Sequence, residues 1–251
     1  VTVDEIHLWL AFTGDIAEDT LRAHRELLSE EELAQEARFR FEKDRRRYRI
    51  TRLLVRTTLS RYASIDPCAW RFEANPYGRP EIANAEAKDI TFNVSHTHGL
   101  VVLGVTRHRA LGVDVENFHA REASIDIAQH FFAPQEVEAL EAVPAGEQRY
   151  RFFEYWTFKE TYIKARGMGL SLPLDKFHFH FPHDRGVAIT IEPELADDAA
   201  RWQFWQFRPR PEYLVAICAE RNGAQSPAVI VRTMQSEEPL AAEFLRVSHE
   251  W

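Results

Sequence analysis

Cysteine is scarce in these 251 residues: Cys68 and Cys218 stand far apart, without a CxxC pair or zinc-ligand spacing. That scarcity excludes a disulfide framework and a cysteine metal centre, and it suits a reducing, cytoplasmic setting. No apolar run approaches membrane-spanning length. The first apolar run carries Asp4 and Glu5, where a secretory signal would be basic. Positive charge is in deficit, with 31 Lys and Arg against 39 Asp and Glu. A formal net charge of -8 argues against a protein that coats nucleic acid through bulk electrostatics. What remains is globular: a 45% hydrophobic chain of this length can bury one large core or two smaller ones.

Val3 to Phe12 alternates as a strand, and Ser29 followed by Glu30, Glu31 and Glu32 reads as a helix start. A basic run then breaks the acidic trend: Arg38, Arg40, Lys43, Arg45, Arg46, Arg47, Arg49, Arg52 and Arg56 face only Glu42 and Asp44. With Ile50, Leu53, Leu54 and Leu59 at helical spacing, this predicts a helix from Lys43 to Tyr62 with one core face and one basic face. The basic face is either a solvated helix surface or a phosphate site, since Arg pairs well with phosphate. A strand is expected over Ala69 to Glu73, followed by a turn at Asn75 to Pro80. Two more are expected over Asp89 to Val94 and Leu100 to Thr106. The intervening Ser95-His96-Thr97-His98-Gly99 reads as a hairpin connection or as a ligand loop.

In Leu111-Gly112-Val113-Asp114-Val115-Glu116, strand alternation puts Asp114 and Glu116 on one face, about 6.5–7 Å apart. They are either solvated carboxylates on a half-buried strand or oxygen ligands for a hard cation such as Mg²⁺. Helices are predicted over Ile125 to His130 and from Pro134 to Ala142, with Glu141 to Gln148 as a linker. The stretch Phe153 to Arg166 reads as a helix apolar on nearly every side, hence buried, and it ends at Gly167. Lys159, Glu160 and Lys164 in its middle either snorkel to water or serve a site. Strands over Leu174 to Phe181, Val187 to Ile191, Trp202 to Phe207 and Tyr213 to Ala219 follow. The pair His178 and His180 lacks a third metal ligand nearby in sequence and reads as the exposed face of its strand.

The order of elements repeats: long helix, strand, then strand pair, over Lys43 to Thr106 and again over Phe152 to Ala219. The expected fold is therefore α+β, with two similar halves forming a pseudo-dimer. These are an N-terminal half, 1–112, and a C-terminal half, 113–251, with the active site in the cleft between them.

Three motifs in order, Phe92-Asn93-Val94-Ser95-His96, Gly112-Val113-Asp114-Val115-Glu116 and Trp156-Thr157-Phe158-Lys159-Glu160 followed by Lys164, are similar in spacing to the surfactin-type 4′-phosphopantetheinyl transferases. Phe131-Phe132 leading to Glu136, Gly167-Met168-Gly169-Leu170 and Leu172-Pro173-Leu174 also resemble that family, and the match runs from about Leu28 to Ala219. The resemblance implies transfer of the phosphopantetheine arm of coenzyme A to a serine of an apo acyl or peptidyl carrier protein. Adenosine 3′,5′-bisphosphate would be released. It implies Mg²⁺ on Asp114, Glu116 and Glu160, Lys164 beside the phosphates, and Glu136 or Glu160 as the base. Lys159 joins the coenzyme A ligands. Arg47 falls near the 3′-phosphate, Tyr77, Gly78, Arg79 and Pro80 border the adenine, and Ser95 and His96 contact ribose and phosphates. Where the family carries lysines before the basic run, this chain has Glu32 and Gln35, so Arg40, Arg45 or Arg46 would take over. Carrier protein would dock near Phe118, His119 and Arg121 or on the helix after Phe132. The two halves in one chain imply a monomer. A coenzyme A or carrier binder without catalysis, and another metal-dependent phosphoryl-transfer or hydrolytic enzyme, are the alternatives.

Overall fold

The structure is a computed structural model and describes residues 1–120, 125–223 and 225–248. In chain order its first elements are β1 (Glu5–Phe12), α1 (Glu18–Ala23), α2 (Glu30–Arg38), α3 (Glu42–Leu59), β2 (Phe72–Ala74), β3 (Pro80–Ile82), β4 (Ile90–Thr97) and β5 (Leu100–Arg107). Next come β6 (Leu111–Asn117), α4 (Ile125–Phe131), α5 (Pro134–Glu141) and α6 (Ala145–Arg166). The chain continues with β7 (Phe177–His180), β8 (Ala188–Ile191), β9 (Trp202–Phe207), β10 (Tyr213–Glu220), β11 (Ala228–Thr233) and β12 (Phe244–Val247). The fold is α+β, and no helix among the described residues is long and apolar enough to cross a membrane.

Two compact units emerge. Unit 1 holds Val1–Asn75, Pro80–His108 and Pro227–Ala241; unit 2 holds Pro76–Arg79, Arg109–Ser226 and the chain from Ala242 on. The expected boundary at 112/113 therefore shifts to His108/Arg109, and part of the tail crosses back. The reason is β11, which adds to unit 1 as a parallel neighbour of β1, with Leu8 opposite Val231. Its apolar residues, too few to reveal a partner in the sequence, complete a sheet ordered β11-β1-β5-β4. In unit 2 the sheet is ordered β12-β9-β10-β6. Each unit contains a strand (β1, β6) antiparallel to the last strand of its hairpin (β5, β10), a long helix (α3, α6) and a small two-stranded sheet.

Local chemistry explains the element ends. Ser29 and Glu32 form a reciprocal capping box that starts α2. The expected loop Ser95 to Gly99 is mostly strand: β4 continues through Thr97, and His98-Gly99 alone makes the turn, with Gly99 at φ 86°. The expected linker before the long helix is also shorter, because α6 begins at Ala145 and tolerates Gly146 in its first turn.

Unit 1 corrects the reading of the basic run. Arg52 Nε lies 2.6 Å from Glu32 Oε1, and Arg56 Nε lies 2.9 Å from Glu32 Oε2. Arg56 is 2% exposed and also donates to the carbonyls of Pro67 (2.8 Å) and Trp70 (3.1 Å). Arg46 and Arg49 pair with Glu18, and Arg49 with Glu36 at 3.3 Å. These four arginines brace α3 against α1 and α2. A buried guanidinium needs such partners, because leaving a charge unmatched in the interior is costly. Glu32→Ala should therefore lower unfolding free energy by about 3–5 kcal/mol in urea denaturation. A loss below about 1 kcal/mol would show that Glu32 is only a surface partner.

Candidate functional site

The two acidic positions of β6 are buried, contrary to a solvated reading. Asp114 is 5% exposed and Glu116 6%, and they share a strand face. What places them is the contact of α6 with β6. A Cβ on Gly112 would stand 1.9 Å from the carbonyl oxygen of Thr161 and 2.6 Å from the amide nitrogen of Ala165. Only glycine lets the helix backbone rest directly on the strand. Glu160 and Lys164 flank this contact on the helix.

Lys164 reaches across to β6: its Nζ lies 2.7 Å from Asp114 Oδ1 and 3.2 Å from the carbonyl oxygen of Val113. Its side chain is 25% exposed, so the stem has access to solvent while the ammonium is held against buried Asp114. The turn before β3 meets the same helix end. Arg79 Nη1 donates to the carbonyls of Lys164 (2.9 Å) and Ala165 (3.4 Å). The Lys164 carbonyl also accepts from the Gly167 amide at 3.2 Å; carbonyls in a helix's last turn carry partial negative charge, so a cation suits them. Gly78 at φ 86° shapes the turn, Tyr77 is 53% exposed, and Gly167 at φ 68° closes the helix.

Of the sequence-predicted residues, Tyr77, Gly78, Arg79, Asp114, Glu116, Glu160 and Lys164 thus belong to unit 2, on β6, on α6 or beside the end of α6. Arg47, Pro80, Ser95 and His96 belong to unit 1. Arg47 pairs with Asp44 at 3.1 Å; Ser95 is buried and His96 exposed on opposite faces of β4. Phe118, expected at a docking surface, is buried, its ring 5.5 Å from that of Tyr150. Arg121 lies outside the described residues.

Glu136 and Lys159 receive a different role from the one expected. Both side chains are fully buried, with Lys159 Nζ 2.7 Å from Glu136 Oε2. The other two ammonium protons go to the carbonyls of Leu174 (2.8 Å) and Phe177 (2.7 Å). Glu136 also accepts from the amides of Phe179 (2.9 Å) and Ala133 (3.2 Å). Burial pushes the Glu136 carboxyl up and the Lys159 ammonium down, and their mutual attraction opposes both shifts. Every proton of Lys159 is committed, leaving none for a phosphate, and Glu136 has no exposed surface from which to take a substrate proton. The pair fastens β7 to α5 and α6. A second buried carboxylate, Glu154, does the same for β12 by holding Arg246 (2.7 Å) and Arg151 (2.9 Å). Nothing in the sequence pattern marked that link.

The donor set left on β6 and α6 is all oxygen, which suits a hard divalent cation. Among the described residues, however, no three His, Cys, Asp or Glu side chains are gathered closely enough to hold a metal. Asp114 and Glu116 fit such an ion in chemistry and burial; the expected triad with Glu160 is not a ready-made cage.

Replacing Lys159 by Met leaves the Glu136 carboxylate buried beside an apolar chain. The expected loss is about 3–5 kcal/mol of unfolding free energy in the ligand-free protein. A lysine reserved for a ligand would leave that stability within about 0.5 kcal/mol when replaced, so urea denaturation separates the two roles.

Comparison with known proteins fits this geometry. The family model for the 4′-phosphopantetheinyl transferase superfamily matches residues 110–218, and that for the N-terminal domain of 4′-phosphopantetheinyl transferases matches residues 16–108. The passage from one match to the other coincides with the passage from unit 1 to unit 2. The chain is 31% identical over 224 residues to the 4′-phosphopantetheinyl transferase HetI of Nostoc sp., covering 88% of this chain and 90% of that protein. It is 34% identical over 182 residues to the 4′-phosphopantetheinyl transferase Sfp of Bacillus subtilis, covering 72% and 77%. A phosphopantetheinyl transferase of Thraustochytrium sp. is 30% identical over 240 residues, covering 89% and 81%. With both halves matched in order and these relatives spanned over most of their length, the chain belongs to the 4′-phosphopantetheinyl transferase family and is a transferase.

Proposed function

We propose that this transferase moves the 4′-phosphopantetheine arm of coenzyme A onto a serine hydroxyl of an apo acyl or peptidyl carrier protein, in a Mg²⁺-dependent reaction. The observation that carries the reading is the buried pair Asp114 and Glu116 on β6, faced by the Lys164 ammonium from α6. Such a site puts negative oxygen ligands and a mobile cation beside one another, as displacement at a pyrophosphate requires.

In this reading the serine oxygen forms a bond to the phosphorus that carries pantetheine. The bond from that phosphorus to the bridging oxygen of the pyrophosphate breaks. The electron pair leaves with adenosine 3′,5′-bisphosphate. Asp114 and Glu116, joined by Glu160 after a side-chain movement, would hold Mg²⁺, which when bound supplies charge neutralisation at the pyrophosphate. Lys164 stands beside Asp114, where it neutralises charge on the departing phosphate. Glu160 is the nearest candidate on α6 to accept the serine proton, because Glu136 is sealed behind Lys159. Arg47, Ser95 and His96 in unit 1, with the turn Tyr77 to Pro80, would bind the nucleotide portion of coenzyme A. Arg79 spends one guanidinium nitrogen on the end of α6, so it holds that turn as well as any ligand. Glutamates occupy Arg46, Arg49, Arg52 and Arg56, while Arg45 and Arg47 pair with Glu42 and Asp44 in the partly exposed first turns of α3, which makes Arg40, Lys43, Arg45 and Arg47 the cations for a 3′-phosphate.

The protein incubated with coenzyme A, Mg²⁺ and an apo carrier should add the mass of one phosphopantetheine arm to the carrier, read by intact-protein mass spectrometry. Glu116→Gln should reduce that rate by about 100-fold or more, with unchanged thermal stability. No mass gain with acyl, polyketide or peptidyl carriers, while coenzyme A still binds, would instead mark a binding protein. Consumption of coenzyme A without carrier modification would mark a hydrolase.

A further inference from the structure

Two carboxylates taken out of water on one strand face need positive charge close by, or burial raises their free energy steeply. On β6, Lys164 supplies such a charge to Asp114. Its ammonium sits 2.7 Å from Asp114 Oδ1 and 3.2 Å from the Val113 carbonyl, so the strand supplies both a charged and a neutral acceptor. The helix that carries it is fixed in three ways. Gly112 seats the backbone at Thr161 and Ala165, Arg79 grips the carbonyls of Lys164 and Ala165, and Gly167 ends the helix in the left-handed region. The α6 backbone therefore has no slack with which to withdraw the lysine. The side chain alone can move, and at 25% exposure it has a way out to solvent.

We propose that Lys164 is a placeholder for the divalent cation: in the metal-free protein its ammonium occupies the cation's position at Asp114, and cation binding expels it. The inference rests on the reading of Asp114 and Glu116 as metal ligands. On a shared carboxylate oxygen the two cations exclude one another. Mg²⁺ stands about 2.0–2.1 Å from its oxygen ligands, so an ammonium kept at 2.7 Å from the same oxygen would lie only about 3–5 Å from a doubly charged ion. Repulsion at that distance in a buried site is severe, whereas the four-carbon stem has a path to solvent. Cation binding and lysine release are then one event. Asp114 never stands unmatched, and the ammonium is delivered toward solvent only when the site is loaded.

The test is the reactivity of individual lysines toward an amine-acylating reagent in the intact protein, read by peptide mass spectrometry, without and with saturating Mg²⁺. Release of Lys164 should raise its labelling by about threefold or more. Buried Lys159 and exposed Lys43 serve as references and should not change. Asp114→Asn should raise Lys164 labelling without Mg²⁺ and remove the response to it. Binding of Mn²⁺, followed by electron paramagnetic resonance, tests the ligands separately. If Mn²⁺ binds the native protein but not Asp114→Asn, while Lys164 labelling stays constant or falls on loading, the placeholder role is overturned and the metal site survives. If Mn²⁺ fails to bind the native protein at all, both fall.

Discussion

The absence of a side chain at Gly112 is the constraint on which the site depends. A methyl group there would overlap the Thr161 carbonyl, so α6 would have to lift from β6 by more than a side-chain adjustment. Helix and strand then touch backbone to backbone. The consequence is geometric: residues on either side of the contact, Asp114 on the strand and Lys164 on the helix, come within hydrogen-bond distance instead of being held apart by a layer of apolar side chains. The core of unit 2 begins on the other faces of α6, where Phe153, Phe158 and Tyr162 pack against Phe177, Phe179, Phe204 and Trp202. One helix therefore closes a hydrophobic core and carries a polar site, with its rigidity supplied by the aromatic layer.

Buried charge recurs as a structural device in both units. Glu32 gathers Arg52 and Arg56, Glu136 gathers Lys159, and Glu154 gathers Arg151 and Arg246. In each case a glutamate on a helix meets a cation from another element, with Arg151 of the same helix adding to Glu154, and Glu32 and Glu136 also accept from backbone amides. Such pairs add little net stability over an apolar replacement, because desolvation cancels much of the attraction. They are intolerant of single changes, however, and so they fix which segment docks where. Arg246 brings β12 to α6, and Arg56 ties the segment after α3 back to it. This accounts for Arg46, Arg49, Arg52 and Arg56 within the basic run of an acidic chain.

Local pattern carried much of this architecture. Alternation in Ile6 to Leu10 and Val113 to Glu116 identified strands and faces, and Ser29 with Glu32 identified a helix start. What it did not carry was pairing over distance. Ala228 to Val231 is a short apolar run with no indication that its partner is β1, more than 200 residues earlier. Phe244 to Val247 is weaker still, and Arg246 gives no local sign of the buried Glu154. The site divides the same way. The spacing of Asp114 and Glu116 placed them on one face, but their burial depends on packing that spacing does not encode. Lys159 and Glu160 are neighbours with similar prospects in sequence. Turning about 100° around the helix sends one into the core and leaves the other half-exposed. That difference is visible only once Glu136 is known to lie on the inner side.

The two units share a topology yet use it differently, and their last strands explain part of this. In unit 1, β11 covers the free side of β1, which becomes an interior strand whose residues from Ile6 to Phe12 are buried. In unit 2, β12 adds at the opposite end, beside β9, so β6 remains the terminal strand of its sheet. On either strand the side chains project to the faces of the sheet, so what matches a charge there is the helix packed on that face. The helix paired with β1 in the repeat, α3, accordingly turns its arginines away to Glu18, Glu32 and Glu36. The helix paired with β6 sends Lys164 to the strand itself. From the same sequence of elements, unit 1 spends its buried charge on joining helices, whereas unit 2 also places Asp114 of a terminal strand against Lys164 of its long helix.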